Sequence, residues 1–379
     1  MKRVLVSSLA FALLASAALA QQPAPAPAPA EDYTHAILIE PTTGTVLYEK
    51  NPDQPAPTAS MTKMMTALVV LDQIRAKKAK WSDPVTTSAR ASLMGGSQVY
   101  LRDKEVFPLQ TMFTAMFVHS ANDAAMAIAA HFGGEERFVR LMNEKAQQIG
   151  LKNTKYYSPH GLPGEGKPDD VSSPRDLAIT GIELMKHPDI QRLAKVQTMP
   201  FRGGVFTMYN PNNLLERYSY ATGIKTGTHD RAGSCITASA SKNGMDLIAV
   251  YMGAKNRRQL FQTVEEAFEE AFGDYEIAQP VKAGTATPAP LPVAGGRTPT
   301  VNAVAGGDLR VLIRSDEKAK IGTEVQPTNP PAPVKKGDRV GWLVVTRDGK
   351  ATGRVPLVAA TDVPTQSLGQ KIWNAVWPF

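Results

Sequence analysis

The most constraining feature of this 379-residue chain is the position of its strand-like segments, which stand at both ends of a helical stretch. Residues 35–40 and 45–48 are predicted strands joined by a turn at 41–44, and further strands are predicted at 236–239 and 247–252. Helical patterns occupy the stretch between them. One sheet must therefore be assembled from segments that are distant in the sequence, with helices packed against it.

The chain is long enough for two globular domains. The segment 60–77 is apolar on more than one face, which predicts a largely buried helix. From 277 to 364 no helical period is visible, and short apolar runs alternate with glycine and proline clusters, a pattern typical of a small all-β domain. We therefore predict a domain of the α/β (α+β) class over 32–276 and an all-β domain over 277–364. Further helices are predicted at 111–132, 135–149, 173–185 and 258–272.

The N-terminus carries the pattern of an export signal. Lys2 and Arg3 precede an apolar run over 4–20 that ends in small residues, as in a secretory signal peptide cleaved after Ala20. The alternative is a membrane-spanning anchor, for which the run is slightly short. Residues 21–31 alternate proline and alanine, which predicts an extended linker. We expect the mature protein to lie outside the cytoplasm.

Composition excludes some classes of function. A single cysteine, Cys235, rules out a disulfide framework and a cysteine-based zinc site within one chain, and we expect it to be a small buried residue. The net charge of +7 is scattered along the chain, so the sequence does not suggest binding to nucleic acid.

Ser60-Met61-Thr62-Lys63 is the first motif that can carry chemistry. A serine and a lysine three residues apart at the start of a helix lie on one face. Serine needs a neighbouring base to act as a nucleophile, and a lysine can be that base if burial or another cation depresses its pKa. The helix N-terminus also offers N–H groups to a developing oxyanion. Alone, this pattern also arises by chance.

Two more motifs follow along the chain. In Ser120-Ala121-Asn122, the hydroxyl can pass a proton to a leaving nitrogen and the amide can hold both a lysine and a substrate, although these residue types also cap helices. In Lys225-Thr226-Gly227, a lysine and a threonine on a strand edge can hold a carboxylate, and glycine permits close approach of a substrate backbone. A strand end followed by a turn explains the latter motif equally well when it is taken alone.

In this order, the three motifs resemble the signature of penicillin-binding proteins and serine β-lactamases. The chain is most similar to the low-molecular-mass D-alanyl-D-alanine carboxypeptidases. The resemblance extends to five further segments: 95–101, 158–163, 174–178, 333–338 and 355–359. It implies a serine β-lactamase/transpeptidase-like domain, with a helix cluster on a mostly antiparallel sheet and the active site at their junction.

The resemblance also implies roles for individual residues. Ser60 would attack the carbonyl between the last two D-alanines of a peptidoglycan stem pentapeptide while Lys63 takes its proton. Ser120 and Asn122 would relay that proton and position the substrate, and the family's carboxylate-binding positions correspond to Lys225 and Thr226. The N–H groups of Ser60 and Thr228 would form the oxyanion hole beside Gly227. Water would then release the tetrapeptide. β-Lactams would acylate the same serine and leave it slowly. The chemistry of this family requires no metal or organic cofactor.

The chain departs from the family pattern after the third motif. The pair Thr228-His229 stands where the family commonly has an aromatic residue or histidine followed by threonine, so His229 is only a weak site candidate. Arg258 is the nearest match to an arginine that helps to hold the substrate carboxylate, with a surface charge at the start of a helix as the alternative.

The resemblance favours an amphipathic membrane anchor at 365–379, where Leu368, Ile372 and Val376 fall four apart beside Trp373 and Trp377. A helix packed on the β domain is the alternative. With export, the anchor predicts a periplasmic enzyme on the outer face of the inner membrane.

Three rival functions remain. A related β-lactamase would need a deacylating glutamate, for which Glu165 and Glu183 lie in the right interval but in no recognisable loop motif. An endopeptidase of the same superfamily generally lacks the C-terminal domain. A non-catalytic wall-binding scaffold has little support because all three motifs are intact.

Overall fold

The structure is a computed structural model that describes residues 32–164, 166, 168–316, 321–367 and 369. The predicted signal peptide, the predicted linker and most of the predicted terminal helix lie outside these residues. Within the described part of the chain, no helix combines the length and the hydrophobicity needed to cross a bilayer.

The helices alternate with the strands along the chain. The α-helices are α1 (Lys63–Arg75), α2 (Ala89–Ser92), α3 (Leu109–Val118), α4 (Asn122–His131), α5 (Glu135–Gln148), α6 (Pro174–Met185), α7 (Pro188–Ala194), α8 (Leu214–Arg217) and α9 (Arg257–Asp274). Short 3-10 turns cover Ala59–Thr62 and Arg202–Gly204.

The strands of the first domain are β1 (His35–Glu40), β2 (Thr45–Lys50), β3 (Ala56–Pro57), β4 (Pro84–Thr86), β5 (Val106–Pro108), β6 (Val171–Ser172), β7 (Thr198–Phe201), β8 (Phe206–Tyr209), β9 (Ala221–His229), β10 (Gly233–Lys242) and β11 (Met245–Ala254). Those that follow are β12 (Tyr275–Val281), β13 (Leu291–Pro292), β14 (Thr300–Val301), β15 (Ala303–Ala305), β16 (Leu309–Arg314), β17 (Ile321–Pro327), β18 (Arg339–Arg347) and β19 (Lys350–Ala359).

The main sheet joins both ends of the first domain, as the sequence predicts. Its strand order is β2-β1-β11-β10-β9, and all of its pairs are antiparallel. Ile37 of β1 lies opposite Val250 of β11, and both point into the helical layer. Their neighbours Leu38 and Ala249 point to the other face, against α9. Alternate residues of one strand thus serve two cores, which explains the nearly continuous apolar runs.

Two predicted helices differ from the observed ones at functionally important points. The first predicted helix begins as a 3-10 turn that carries Ser60, and α1 starts only at Lys63. The predicted helix 111–132 is divided into α3 and α4, because Ser120 has a φ of 66° and the N–H of Asn122 donates to the carbonyl of Ser97 rather than to a helical carbonyl. Hydrogen bonds to a distant segment therefore override local helix propensity here.

The second domain is all-β, as predicted. A sheet of order β15-β19-β18-β17 and the pair β12–β16 surround a core that includes Val340, Val345 and Leu357. The predicted fold class is therefore confirmed. The first domain alone brings the three motifs together, at the junction of β9 with the helical layer.

Candidate active site

Ser60 lies in the 3-10 turn that leads into α1, against strand β9. The preceding residue, Ala59, is buried and has a φ of 45°, a left-handed conformation that is strained for a residue with a Cβ. The Nζ atom of Lys63 is 2.8 Å from Ser60 Oγ. The first motif therefore places a nucleophile and an amine in direct contact, as the spacing predicts.

Lys63 is fully buried and all its hydrogen-bond partners are uncharged. Its Nζ lies 2.7 Å from Asn122 Oδ1 and 2.6 Å from the carbonyl of His160. Burial, reinforced by the positive charge of Lys225, holds the pKa of Lys63 well below its usual value. A neutral amine has two N–H donors and one lone pair. It can therefore donate to Asn122 and His160 while accepting the hydroxyl hydrogen of Ser60, which is the arrangement a general base needs.

The second motif is held by the loop that precedes it. The amide Nδ2 of Asn122 donates to the carbonyl of Gly95 over 2.8 Å, which turns Oδ1 towards Lys63. The buried carboxylate of Asp123 accepts from the N–H groups of Val99 and Leu101 at 3.0–3.3 Å. Ser120 is buried at the turn between α3 and α4 and lines the same cleft as Ser60.

The loop 158–161 supplies the third partner of Lys63, and it is anchored by a buried carboxylate. Asp170 accepts from the N–H and hydroxyl of Ser158 over 2.9 and 2.7 Å, and from the Thr62 hydroxyl over 3.0 Å. Burial raises the pKa of Asp170. The motif search assigned no role to Asp170 or His160. His160 lies in the family-like segment 158–163, but its carbonyl leaves no mark on residue type, and Asp170 lies outside that segment.

Lys225, Thr226 and Gly227 form the opposite wall, on strand β9. Lys225 is buried, and burial together with the charge of Arg257 lowers its pKa to about 7. A Cβ on Gly227 would lie 2.7 Å from the carbonyl oxygen of Thr58 and 2.9 Å from the nitrogen of Ser60. Only glycine therefore lets β9 approach the nucleophile this closely.

These walls enclose a cleft of about 270 Å³. The predicted site residues that line it are Ser60, Ser120, Asn122, Thr226, Gly227 and Thr228, and the others that line it include Gly96, Ser97, Leu162, Pro211, Ser234, Cys235 and Arg257. Lys63 and Lys225 lie buried behind this lining. A larger cavity, about 420 Å³, lies near the other end of the sheet and contains no motif residue.

The predicted arginine requires a correction. Both arginines are exposed, but Arg257 lines the cleft, donates to the carbonyl of Pro211 and lowers the pKa of Lys225, whereas Arg258 does not line the cleft. The cause is the N-cap: Asn256 Oδ1 accepts from the N–H of Arg258, which fixes the first turn of α9 so that the preceding side chain faces the cleft. Arg257, not Arg258, is therefore the arginine that the structure places at the cleft.

His229 and Glu183 lie away from the cleft. His229 does not line it, and its Nδ1 accepts from the N–H of Ala232. Glu183 pairs with Lys186 on α6, and Glu165 is outside the described residues. Cys235 is buried, as predicted. Among the described residues, no group of three or more histidine, cysteine, aspartate or glutamate side chains is placed to hold a metal ion.

Comparison with known families decides the assignment. Residues 21–256 match the model of the D-alanyl-D-alanine carboxypeptidase family. The chain belongs to this family. Residues 275–365 match the C-terminal domain of penicillin-binding protein 5, so the family resemblance covers both domains.

Individual members of the D-alanyl-D-alanine carboxypeptidase family are similar over most of their length. The chain is 35% identical over 340 residues to the D-alanyl-D-alanine carboxypeptidase DacF of Bacillus subtilis, covering 88% of this chain and 86% of the relative. The chain is also 32% identical over 350 residues to the D-alanyl-D-alanine carboxypeptidase DacC of Escherichia coli, covering 90% of this chain and 86% of the relative. The structure of penicillin-binding protein 5 from Haemophilus influenzae superposes with a TM-score of 0.78 at 29% identity, covering 89% of this chain and 99% of that one.

The contact at Gly161 gives a first test. Gly161 has a φ of 86°, and a Cβ there would lie 1.9 Å from the carbonyl oxygen of Ala59. Gly161→Ala must therefore displace the loop that presents the His160 carbonyl to Lys63. We expect acylation by benzylpenicillin, measured by stopped-flow fluorescence, to fall by about 100-fold, since misplacement by about 1 Å costs that much.

Gly150→Ala is the matched control. Gly150 has a φ of 82° but nothing within 4 Å of the added Cβ, so it carries the same backbone strain without the contact. This variant should lose about 1 kcal/mol of stability and acylate at the wild-type rate. Equal acylation rates in the two variants would contradict the positioning role of the loop.

The two depressed lysine pKa values predict a bell-shaped pH dependence of kcat/KM. The rate should rise with pH as Lys63 loses its proton, and fall above about 7 as Lys225 loses the charge that holds a carboxylate. Arg257→Gln removes a cation that lowers the Lys225 pKa, so the descending limb should move to higher pH even though substrate affinity falls. Arg258→Gln should leave both limbs in place; a shift in this control, or none in Arg257→Gln, would refute the assignment.

Proposed function

We propose that this chain is a serine-type D-Ala-D-Ala carboxypeptidase that removes the terminal D-alanine from peptidoglycan pentapeptide stems through an acyl-enzyme on Ser60. The observation that carries the proposal is the burial of Lys63 among uncharged hydrogen-bond partners, with Ser60 on one side and Asn122 on the other. Family membership supports the reaction type, and the geometry supports the role of each residue.

The acylation step follows from this arrangement. The terminal carboxylate of the substrate binds at Thr226 and Arg257, which line the cleft, and at Lys225, whose charge is buried next to them. Ser60 Oγ attacks the scissile carbonyl as its proton passes to Lys63 Nζ, and the C–N bond then breaks. Ser120 delivers a proton to the departing nitrogen of D-alanine and takes one in turn from Lys63, which returns the amine to its neutral form before deacylation. The N–H groups of Ser60 and Thr228 stabilise the oxyanion.

In the deacylation step, water attacks the ester on Ser60, and Lys63 again accepts the proton and returns it to Ser60. The products are the tetrapeptide stem and a free serine. A β-lactam forms the same ester, but its leaving group stays attached and obstructs the water. Complexes of the Listeria monocytogenes penicillin-binding protein D2 with ampicillin and cefotaxime are structural neighbours at TM-scores of 0.60 and 0.61, which supports β-lactam binding here.

One second candidate has a specific observation in its favour. A D-alanyl-D-alanine endopeptidase of Pseudomonas aeruginosa is 32% identical over 234 residues, so the first domain is compatible with cleavage of cross-links. That match covers 58% of this chain, whereas the matches to the carboxypeptidases DacF and DacC cover 88% and 90% of it. A β-lactamase would need a deacylating glutamate, and the described part of the cleft wall contains none.

Release of D-alanine by residues 21–379 tests the proposal. We expect release from diacetyl-Lys-D-Ala-D-Ala, slow turnover of a chromogenic cephalosporin, and loss of at least about 1000-fold in both reactions in Ser60→Ala, because the nucleophile is removed. Rapid cephalosporin hydrolysis without D-alanine release would identify a β-lactamase instead. Cleavage of cross-linked muropeptides without D-alanine release from pentapeptides would identify an endopeptidase.

We also propose that the enzyme is exported, loses residues 1–20 and binds the outer face of the inner membrane through residues 365–379. The support is the sequence pattern at the two ends of the chain. Mass spectrometry of the mature chain should find Gln21 at the N-terminus. Deletion of 365–379 should abolish flotation with anionic liposomes; flotation that survives the deletion would contradict the anchor.

A further inference from the structure

A second cavity adjoins the catalytic cleft. It has a volume of about 400 Å³ and shares Leu162 with the cleft. The two also lie on adjacent residues of one loop, since Gly95 lines the second cavity and Gly96 lines the cleft. A substrate with its carboxylate at Lys225 and its scissile carbonyl at Ser60 directs its acyl side away from Lys225. Gly96 and Leu162 line the cleft on the side where it meets the second cavity. The second cavity is therefore placed to receive the acyl part of the stem peptide.

The chemistry of this cavity is specific. Its walls include the apolar side chains of Leu93, Met94, Met126 and Leu162. Arg90 and Glu135, which also line it, form an ion pair in which the arginine side chain is 65% exposed and the glutamate 10%. Glu135 is the first residue of α5, where the helix dipole favours a carboxylate. The cavity thus combines an apolar interior with one cation and one anion side by side.

An aliphatic side chain that ends in both an ammonium and a carboxylate is complementary to these walls. A guanidinium has five N–H donors in a planar fork, so Arg90 can pair with Glu135 and still bind a second carboxylate. Glu135 can accept from an ammonium. A lysine side chain would satisfy the glutamate alone, whereas a diamino dicarboxylic acid would satisfy both charges.

We propose that this cavity is the subsite for the third residue of the stem peptide and that it selects meso-diaminopimelate over lysine. The third residue lies two positions before the scissile bond, so its Cα is within about 7 Å of Ser60 in an extended chain. The second cavity begins at Leu162, which it shares with the cleft that contains Ser60. The subsite rests on the proposed carboxypeptidase function and adds the class of stem peptide that the enzyme prefers.

The test compares two pentapeptides, L-Ala-γ-D-Glu-X-D-Ala-D-Ala with X as meso-diaminopimelate or as L-lysine. The wild-type chain should show a kcat/KM about tenfold higher for diaminopimelate. Arg90→Gln should remove this preference by lowering the diaminopimelate value alone. Glu135→Gln should lower both values, since both side chains carry an ammonium. Acylation by benzylpenicillin, which has no such side chain, should stay within twofold of wild type in both variants.

Arg140→Gln and Glu136→Gln are matched controls, because both residues are exposed on α5 and neither lines the cavity. They should leave both kcat/KM values unchanged. If the Arg90–Glu135 pair were only structural, Arg90→Gln would lower stability without changing the ratio of the two kcat/KM values. An unchanged ratio in this variant therefore overturns the subsite. Equal wild-type values for the two peptides also overturn it. D-alanine release from neither peptide would refute the carboxypeptidase function itself, and the subsite with it.

Discussion

The rest of the site depends on the burial of one amine. Lys63 has no exposed surface, and its hydrogen-bond partners come from three separate segments: the turn at Ser60, the helix at Asn122 and the loop at His160. An unpaired buried cation would be very costly, so the amine is stable there only in its neutral form or with each partner in place. The need to satisfy this nitrogen therefore fixes where three distant parts of the chain meet.

The backbone is strained at two positions where these segments meet. Ala59 and Ser120 have left-handed φ values of 45° and 66° immediately beside or at the motif residues. Such conformations cost on the order of 1–3 kcal/mol each for a residue with a Cβ. They persist because α1, α3 and α4 are almost wholly buried in one apolar core, which holds the turns between them. The geometry is thus set before a substrate arrives, as electrostatic stabilisation of an oxyanion requires.

Local rules predicted the elements and the nucleophile but not the contacts made across the fold. The spacing of Ser60 and Lys63 and the apolar strands at 35–40 and 247–252 carry their own signal, because periodicity is a property of neighbouring residues. The division of 111–132 into two helices depends on a hydrogen bond to Ser97, which no local pattern encodes. The one-residue error at Arg258 has the same origin, since the cap at Asn256 sets which side chain faces the cleft.

Two lysines with lowered pKa values serve opposite purposes in one small cleft. Lys225 must be charged to hold a carboxylate, and the bound carboxylate favours that charge. The pair so formed cancels much of the field that Lys225 exerts on Lys63. Because burial is the larger cause of the lowered Lys63 pKa and the Lys225 charge the smaller, the Lys63 pKa stays lowered when substrate neutralises its neighbour. Burial rather than charge repulsion is therefore the main reason that one site can bind an anion and still favour the neutral form of the amine beside its nucleophile.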